Sequence, residues 1–593
     1  MIDLNLPLHQ ALSELFKTHG ASIGIPPEHT QVHYSNKGAQ FQCNGALASA
    51  RALKKSPRDI AAAWIEALQA AEPETFASLE VAGPGFININ LSDEALALKL
   101  RAINADPRLG APKVASPEKV YIDFGGYNVA KQLHIGHLRA TIIGETLRRT
   151  LSFMGDEVIG DVHLGDWGTQ MGMLIEAVRE LDPTLAYFHD DPDATPEGGY
   201  PDDSPITLED MNRLYPEASA RCKSDPEVRK RASQATALLQ SGHRGYRALW
   251  RHFVELSIAE IKRDIAPFNV HFDLWLGESD AQPVIEPLVQ RLKDEGHAEV
   301  SDGALIVRLT DAKGEEMVPL MLEKSDGGAT YHTSDLATLF TRIEEGADRV
   351  LYVVDARQEM HFRQVFRAAQ QTGLAPEHLR MQHVHFGTIN GEDGRPFKTR
   401  SGDTVKLRDV VQMALDSAAT RSGEQAEVSE DAEEVAERAQ AIAVAAIKFG
   451  DLSNHRASDY ILNLEEFCSF EGKTGPYLLY ATVRIRSILQ KAEERGLSPS
   501  ELLVTCDEDR ALALELSRFP LILSSVHEKL TPHLLCEYLF NLSQAFSVFY
   551  QRCNIVRESD PAIQGSWLSL VSTCRRTLLL GLELLGLEAP ERM

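Results

Sequence analysis

Residues 120–137 read Val120-Tyr121-Ile122-Asp123-Phe124-Gly125-Gly126-Tyr127-Asn128-Val129-Ala130-Lys131-Gln132-Leu133-His134-Ile135-Gly136-His137, and the fold class turns on them. Val120, Ile122 and Phe124 alternate as in a strand, and Gly125-Gly126 opens a loop. A helix is predicted from about Gly136, with apolar Leu138, Ile142, Leu147, Leu151 and Met154, and Gly155 suits the position that ends it. Val158, Ile159 and Val162 make a second strand. Strands alternating with helices imply a parallel sheet whose site lies at the strands' C-terminal ends.

Upstream, residues 1–112 mix short helices and strands, among them a strand carrying Leu79 and Val81. Pro112 to Glu118 is polar and Pro-containing, a linker. A catalytic unit is expected over 113–425, interrupted at about 175–265 by an insertion whose 180–235 part is acidic and Pro-rich. Strand and helix alternate again from about 268 to 410, and an acidic segment, Glu424 to Glu437, opens a helical unit over 426–593. At 593 residues the chain exceeds one hydrophobic core, so several domains are required.

Composition is that of a globular protein, and no apolar run approaches the roughly 20 residues that span a bilayer. Met1-Ile2-Asp3-Leu4-Asn5 lacks a basic stretch followed by an apolar one, so no secretory signal is expected. Seven cysteines without CxxC pairs argue against a disulfide framework or a cysteine-rich zinc site, and fit a reducing, cytoplasmic compartment. A net charge of −26 argues against non-specific coating of nucleic acid, but not against one structured RNA held by local basic patches.

The chemistry centres on His134-Ile135-Gly136-His137. Two histidines three apart share one face of a helix's first turn, where free N–H groups and the dipole favour anions. Gly136 lets a flat nucleotide approach. The set suits ATP attacked at its α-phosphate, with imidazoles stabilising developing charge. Alone, the tetrapeptide reads more readily as a surface H-x-x-H; a metal reading has no acidic or cysteine ligand at matching spacing.

The run from Asp123 to Arg139, with Thr141-Ile142-Ile143-Gly144 and His163-Leu164-Gly165-Asp166-Trp167-Gly168-Thr169-Gln170, resembles the signature of arginyl-tRNA synthetases. The resemblance covers nearly the whole chain and is weakest in the acidic insertion. It implies a multidomain α/β protein: a Rossmann-like catalytic domain with insertions, an α+β N-terminal tRNA-contact domain and an all-α C-terminal anticodon-binding bundle. It also implies ATP with Mg²⁺, L-arginine and tRNA(Arg) as partners, activation that requires bound tRNA, no structural metal and a monomer.

Site residues follow from the same match. Pro396-Phe397-Lys398-Thr399-Arg400-Ser401-Gly402 resembles a degenerate KMSKS loop, with Arg400 where the second lysine usually stands and Lys131 substituting for the missing charge. Gly136, His385, Phe386, Gly387, Lys398 and Thr399, with both histidines, are expected at ATP. A guanidinium is planar and always charged, so its pocket needs coplanar acceptors. Tyr331 and Asp335, four apart on an expected helix, match the family's amino-acid-binding helix, and Asp123, Asn128, His134 and Gln358 complete the pocket. Carboxylates are assigned to the guanidinium and amides to the α-amino and carboxylate ends. Toward tRNA, Asn44 in the N-terminal unit and Tyr477, Tyr480, Arg484, Tyr550 and Met593 in the helical one match contact positions, tyrosines stacking bases and arginines meeting phosphates. Isolated from the match, Tyr331 and Asp335 fit an ordinary amphipathic face, and Tyr480 fits bundle core.

One departure stands out. Family members usually carry Ser-Pro-Asn or Ala-Pro-Asn where this chain has Gly126-Tyr127-Asn128. Losing the proline frees φ and restores an N–H, predicting a looser or differently shaped loop beside the pocket. Compensated drift and altered tolerance of arginine analogues both fit. A tRNA-free adenylate-forming enzyme would lack the two end units, and a non-charging regulator should have lost His134, His137 or Lys131.

Overall fold

The computed structural model describes residues 2–35, 38–325, 328–391, 393–395, 397, 405–423 and 432–593. Near the N-terminus β1 (Val32–Tyr34), β2 (Phe41–Cys43), β3 (Phe76–Ala82) and β4 (Phe86–Leu91) form an antiparallel sheet in the order β1-β2-β4-β3. Leu79 and Val81 fall on β3, as their alternation predicts. Helices Leu8–Ala21 and Pro57–Ala71 cover the sheet, with the rings of Phe16 and Trp64 5.2 Å apart. This unit rests on the C-terminal helices: the Tyr34 hydroxyl donates to the Ser517 carbonyl at 3.0 Å and Arg576 donates to that of Asn104 at 2.6 Å.

The chain then lays down β5 (Lys119–Asp123), β6 (Glu157–Leu164) and β7 (Leu274–Gly277). It leaves for a separate antiparallel sheet, β8 (Glu299–Ser301), β9 (Ala304–Thr310) and β10 (Glu316–Glu323), and returns with β11 (Arg349–Tyr352) and β12 (Arg380–His383). Strands β12-β11-β5-β6-β7, in that order, make one parallel sheet. Strand order reverses between β5 and β11, so the crevice where such sheets bind ligands opens at the C-terminal ends of those two strands. Val120, Tyr121, Ile122 and Asp123 are all buried, because the middle strand is covered on both faces. Phe124 lies just past the strand, under helix Ile135–Met154, where a Cβ on Gly144 would come within 2.2 Å of its side chain. Gly155, with φ 112°, ends that helix as expected.

The insertion is helical and packs a core of its own. Helices Thr169–Leu181, Leu208–Ser224, Pro226–Ser241 and Arg244–Ile265 bury Met171, Leu174, Met211, Leu239, Tyr246 and Phe253 in a core of their own. The acidic stretch with Asp190, Asp191, Asp202 and Asp203 lies outside it, exposed. Residues 424–431 of the expected acidic segment lie outside the described residues, and helix Ala432–Leu452 follows them. The remainder is helical apart from β14 (Tyr460–Ile461), which pairs in parallel with β13 (Ile389–Asn390). Among the described residues, no helix is long and apolar enough to cross a membrane.

Two buried side chains tie helix Ile135–Met154 to its surroundings. The Arg139 guanidinium lies 2.8 Å from Asp451 on helix Ala432–Leu452 and donates to the carbonyls of Gly387 and Ser458, both at 2.9 Å. Tyr127, expected to loosen its loop, is fully buried instead. Thr141 spends its hydroxyl proton on the His137 carbonyl (2.7 Å), so the Tyr127 hydroxyl donates to the Thr141 oxygen, also at 2.7 Å. The Tyr127 ring sits edge-on to Phe272, with centroids 6.1 Å apart.

Both ties predict stability effects. Asp451→Ala strands a buried guanidinium and should cost on the order of 3–5 kcal/mol. Tyr127→Ala should cost about as much through the cavity it leaves, whereas Tyr127→Phe should lose only about 1 kcal/mol with its hydrogen bond. Urea unfolding followed by circular dichroism measures all three, and an unshifted transition for Tyr127→Ala would show that the ring does not anchor the loop.

Candidate active site

At the crevice, His134 and His137 cap the helix with each other's backbone. His134 Nδ1 accepts from the Gly136 N–H at 3.0 Å, and His137 Nδ1 accepts from the His134 N–H at 3.1 Å. The first-turn N–H groups expected to be free for anions are therefore taken: the Ile135 N–H donates to the Val405 carbonyl and the His137 N–H to that of His134. The donors left at this helix start are the rings themselves. A neutral imidazole that accepts at Nδ1 must carry its proton on Nε2. Burial, then the neighbouring His134 ring, pushes His137 down to about 3. Burial and Lys131 also lower His134. Both rings, 3.9 Å apart between centroids, are thus neutral Nε2–H donors at neutral pH.

Lys398, Thr399 and Arg400, expected at ATP from the match to a degenerate KMSKS loop, lie outside the described residues. Their flanks do not. The Phe397 N–H donates to the Ile389 carbonyl at 3.1 Å, and the Leu407 N–H to the Leu133 carbonyl at 2.9 Å, which brings the downstream flank against the histidines. His385, Phe386 and Gly387 follow β12, with the buried Phe386 ring 5.9 Å from the Arg139 guanidinium.

The expected arginine residues divide by electrostatics. Asp123 accepts from Arg342 Nη2 at 3.0 Å, and Asp161 accepts from the same nitrogen at 2.5 Å. The Asp123 charge is therefore matched within the chain. Asp123, Asp161 and His163 converge closely enough to hold a cation, but Arg342 already supplies it. Asn128 pairs with Gly165, just past β6, and is half-buried. Tyr331 and Asp335 stand one turn apart at the start of helix Tyr331–Glu344, and Tyr331 is 67% exposed. Asp335 hydrogen-bonds His361 Nε2 and has no Arg or Lys ion-pair partner among the described residues. Gln358, exposed, precedes helix Glu359–Gln371, which carries His361.

One residue of the pocket was missed in the sequence. Glu278 directly follows β7 and lies within electrostatic reach of His163, Asp166, Asp335 and Lys131, and it also raises the Tyr331 hydroxyl. Burial first, then the Asp166 and Asp335 carboxylates, push its carboxyl up to about 7. Its signal was position: an acid immediately past a parallel strand's C-terminal end.

The expected tRNA residues lie far along the chain. Asn44 is exposed at the start of helix Gly45–Leu53. Tyr480 is 43% exposed on helix Gly475–Glu494, and Arg484, one turn on, lies 4.7 Å over the Tyr550 ring. Tyr477 is half-buried, its hydroxyl 3.4 Å from that of Ser547, and Met593 packs against the helical core.

Three family models match the chain: the class I (R) tRNA synthetase catalytic domain over residues 99–464, the DALR anticodon binding domain over 478–593 and the arginyl tRNA synthetase N-terminal domain over 4–91. The arginine–tRNA ligase of Maricaulis maris is 47% identical over 97% of both chains. That of Hyphomonas neptunium is 48% identical over 96% of this chain and 97% of its own. In fold, the crystal structure of arginyl-tRNA synthetase from Plasmodium falciparum superposes with a TM-score of 0.81 at 24% identity, covering 99% of each chain. With near full-length identity to such ligases and all three family models matched, the chain belongs to the arginyl-tRNA synthetases.

Proposed function

We propose that the chain activates L-arginine with ATP, supplied as its magnesium complex, and transfers the arginyl group to the 3′-terminal adenosine of tRNA(Arg). The observation that carries the arginine assignment is a pair of carboxylates, Asp335 and Glu278, close enough to repel and forming no ion pair with an Arg or Lys among the described residues, though Lys131 lies within electrostatic reach of Glu278. A guanidinium placed between them would satisfy both with charge-assisted hydrogen bonds. Tyr331 would close over it, and Gln358 and Asn128 would hold the α-amino and carboxylate ends. The arginine carboxylate then attacks the α-phosphate, and pyrophosphate leaves.

His134 and His137 are assigned to the phosphates as neutral donors. Being uncharged, they add hydrogen bonds to the pentavalent transition state without clamping ground-state ATP as cations would. Lys131, with Lys398 and Arg400, is assigned to the leaving pyrophosphate. The Arg484–Tyr550 pair and Tyr480 suit an unpaired anticodon base with its phosphate. In this reading residues 1–112 contact the body of the tRNA, 113–425 carry the chemistry and 426–593 read the anticodon. The enzyme would act in the cytoplasm, as a monomer.

Two experiments test the assignment. His134→Ala and His137→Ala should each slow arginyl-adenylate formation by roughly 10²- to 10³-fold while tRNA binding, followed by filter retention, is unchanged; near-normal charging by both variants would remove them from the chemistry. The second is pH dependence. Only ionised Glu278 pairs with a guanidinium, so below its value of about 7 arginine binding must first expel a proton. The arginine KM should be flat above that pH and rise up to about tenfold for each unit below it. Glu278→Gln should raise the KM and abolish this slope; a slope that persists would put the titrating group elsewhere.

A further inference from the structure

Asp335 is held by a polar relay that reaches back to the antiparallel sheet. Gln364, buried on helix Glu359–Gln371, donates both amide protons to β10, to the carbonyls of Val318 (3.1 Å) and Pro319 (3.0 Å). Its Oε1 is therefore an acceptor only. His332 Nε2, 3.3 Å from that oxygen, must be the donor, which fixes the His332 tautomer. The His332 ring lies against the His361 ring, with centroids 4.5 Å apart and planes inclined by 38°. His361 in turn faces the Asp335 carboxylate with Nε2, as a donor. The His361 ring also meets Phe362 edge-on, with centroids 5.0 Å apart. Two rings and one amide thus hold His361 in a single orientation, and His361 occupies one oxygen of Asp335.

We infer that His361 is a positioning residue for amino-acid recognition: it turns Asp335 so that one carboxylate oxygen is tied down and the other is presented to the guanidinium. This rests on the reading of Asp335 as a guanidinium partner. The chemical choice of histidine has a reason. An Arg or Lys in its place would cancel the charge that attracts the substrate, as Arg342 does for Asp123. An imidazole can donate this hydrogen bond without carrying the permanent charge of an Arg or Lys. The relay also starts on the helix that Gln358 precedes, so it couples the two ends of the amino-acid site. A carboxylate free to rotate would have to be ordered when arginine binds, at an entropic cost that the pre-set geometry avoids.

The test is a double-mutant cycle in the tRNA-charging assay with full-length enzyme. His361→Ala should raise the arginine KM about 10- to 100-fold, the range for losing a hydrogen bond to a charged group, with the ATP KM and kcat changed little. His361→Gln, whose amide can reach the same oxygen, should recover most of the loss. His361→Ala combined with Asp335→Asn should be no worse for arginine than Asp335→Asn alone, because the first residue acts only through the second. Additive effects in the double variant, or a His361→Ala defect spread equally over arginine, ATP and kcat, would overturn the inference. If Asp335→Asn itself leaves the arginine KM unchanged, the underlying guanidinium assignment fails instead.

Discussion

A single buried guanidinium holds the catalytic crevice together. Arg139 lies two residues beyond His137, and its donors reach Asp451 on a helix of the C-terminal half and the carbonyls of Gly387 and Ser458. A buried Arg cannot shed its charge, so each of these partners is obligatory once the helix is in place. The consequence is geometric. Helix Ile135–Met154 can neither turn about its axis nor slide without breaking a charged contact, so His134 and His137 are aimed by a residue that touches no substrate. The same contacts set the 385–387 segment beside the histidines, which puts the candidate ATP groups of two distant stretches of chain on one rigid frame.

Charge placement within the pocket follows a complementary rule. Carboxylates meant for structure receive a permanent cation: Asp123 and Asp161 share Arg342. The two proposed for a cationic ligand form no Arg or Lys ion pair among the described residues. Asp335 has a histidine, and the Glu278 carboxyl is raised by burial first and by the Asp166 and Asp335 carboxylates next, against the opposing pull of His163 and Lys131. On the proposed reading, a guanidinium entering between Asp335 and Glu278 would relieve their mutual repulsion, which a neutral side chain of the same shape would leave in place.

The elements that carry short-range signals were legible in the sequence. A strand, two glycines and a helix closed by Gly155 follow from hydrophobic period and turn chemistry, and the histidines' position at the helix start follows from their spacing. What required three dimensions was partnership. The spacing of His134 and His137 suggested free N–H groups, yet the imidazoles themselves cap them. Asp123 was placed at the pocket by the family match alone, and its pairing with Arg342, 219 residues away, shows only in the fold. Glu278 went unmarked because nothing local distinguishes it from other acids; only folding brings three further carboxyl-bearing or cationic neighbours to it. The insertion's own core was not legible because its apolar residues are spread over four helices and meet only on folding.

The Gly126-Tyr127 departure shows how a local expectation can be overturned by packing. Proline stiffens a loop through its own ring, so its loss suggests mobility. Here rigidity comes from burial: the tyrosine ring enters the core between Phe272 and His137, and its hydroxyl is tied to Thr141, which is itself tied to the His137 carbonyl. That solution demands its neighbours. Gly125 and Gly126 both adopt positive φ, at 96° and 63°, and a Cβ on Gly125 would come within 2.9 Å of the Tyr127 ring. A serine at 126 would be strained at that φ, and a following proline would disfavour the conformation further. The Gly-Gly-Tyr triplet is therefore one unit: glycines that let the chain curl, and a tyrosine that fills the space the curl creates against His137. Substituting the usual Ser-Pro into this backbone would remove the anchor without restoring the proline's native turn, so the triplet has to be exchanged together with the core that receives it.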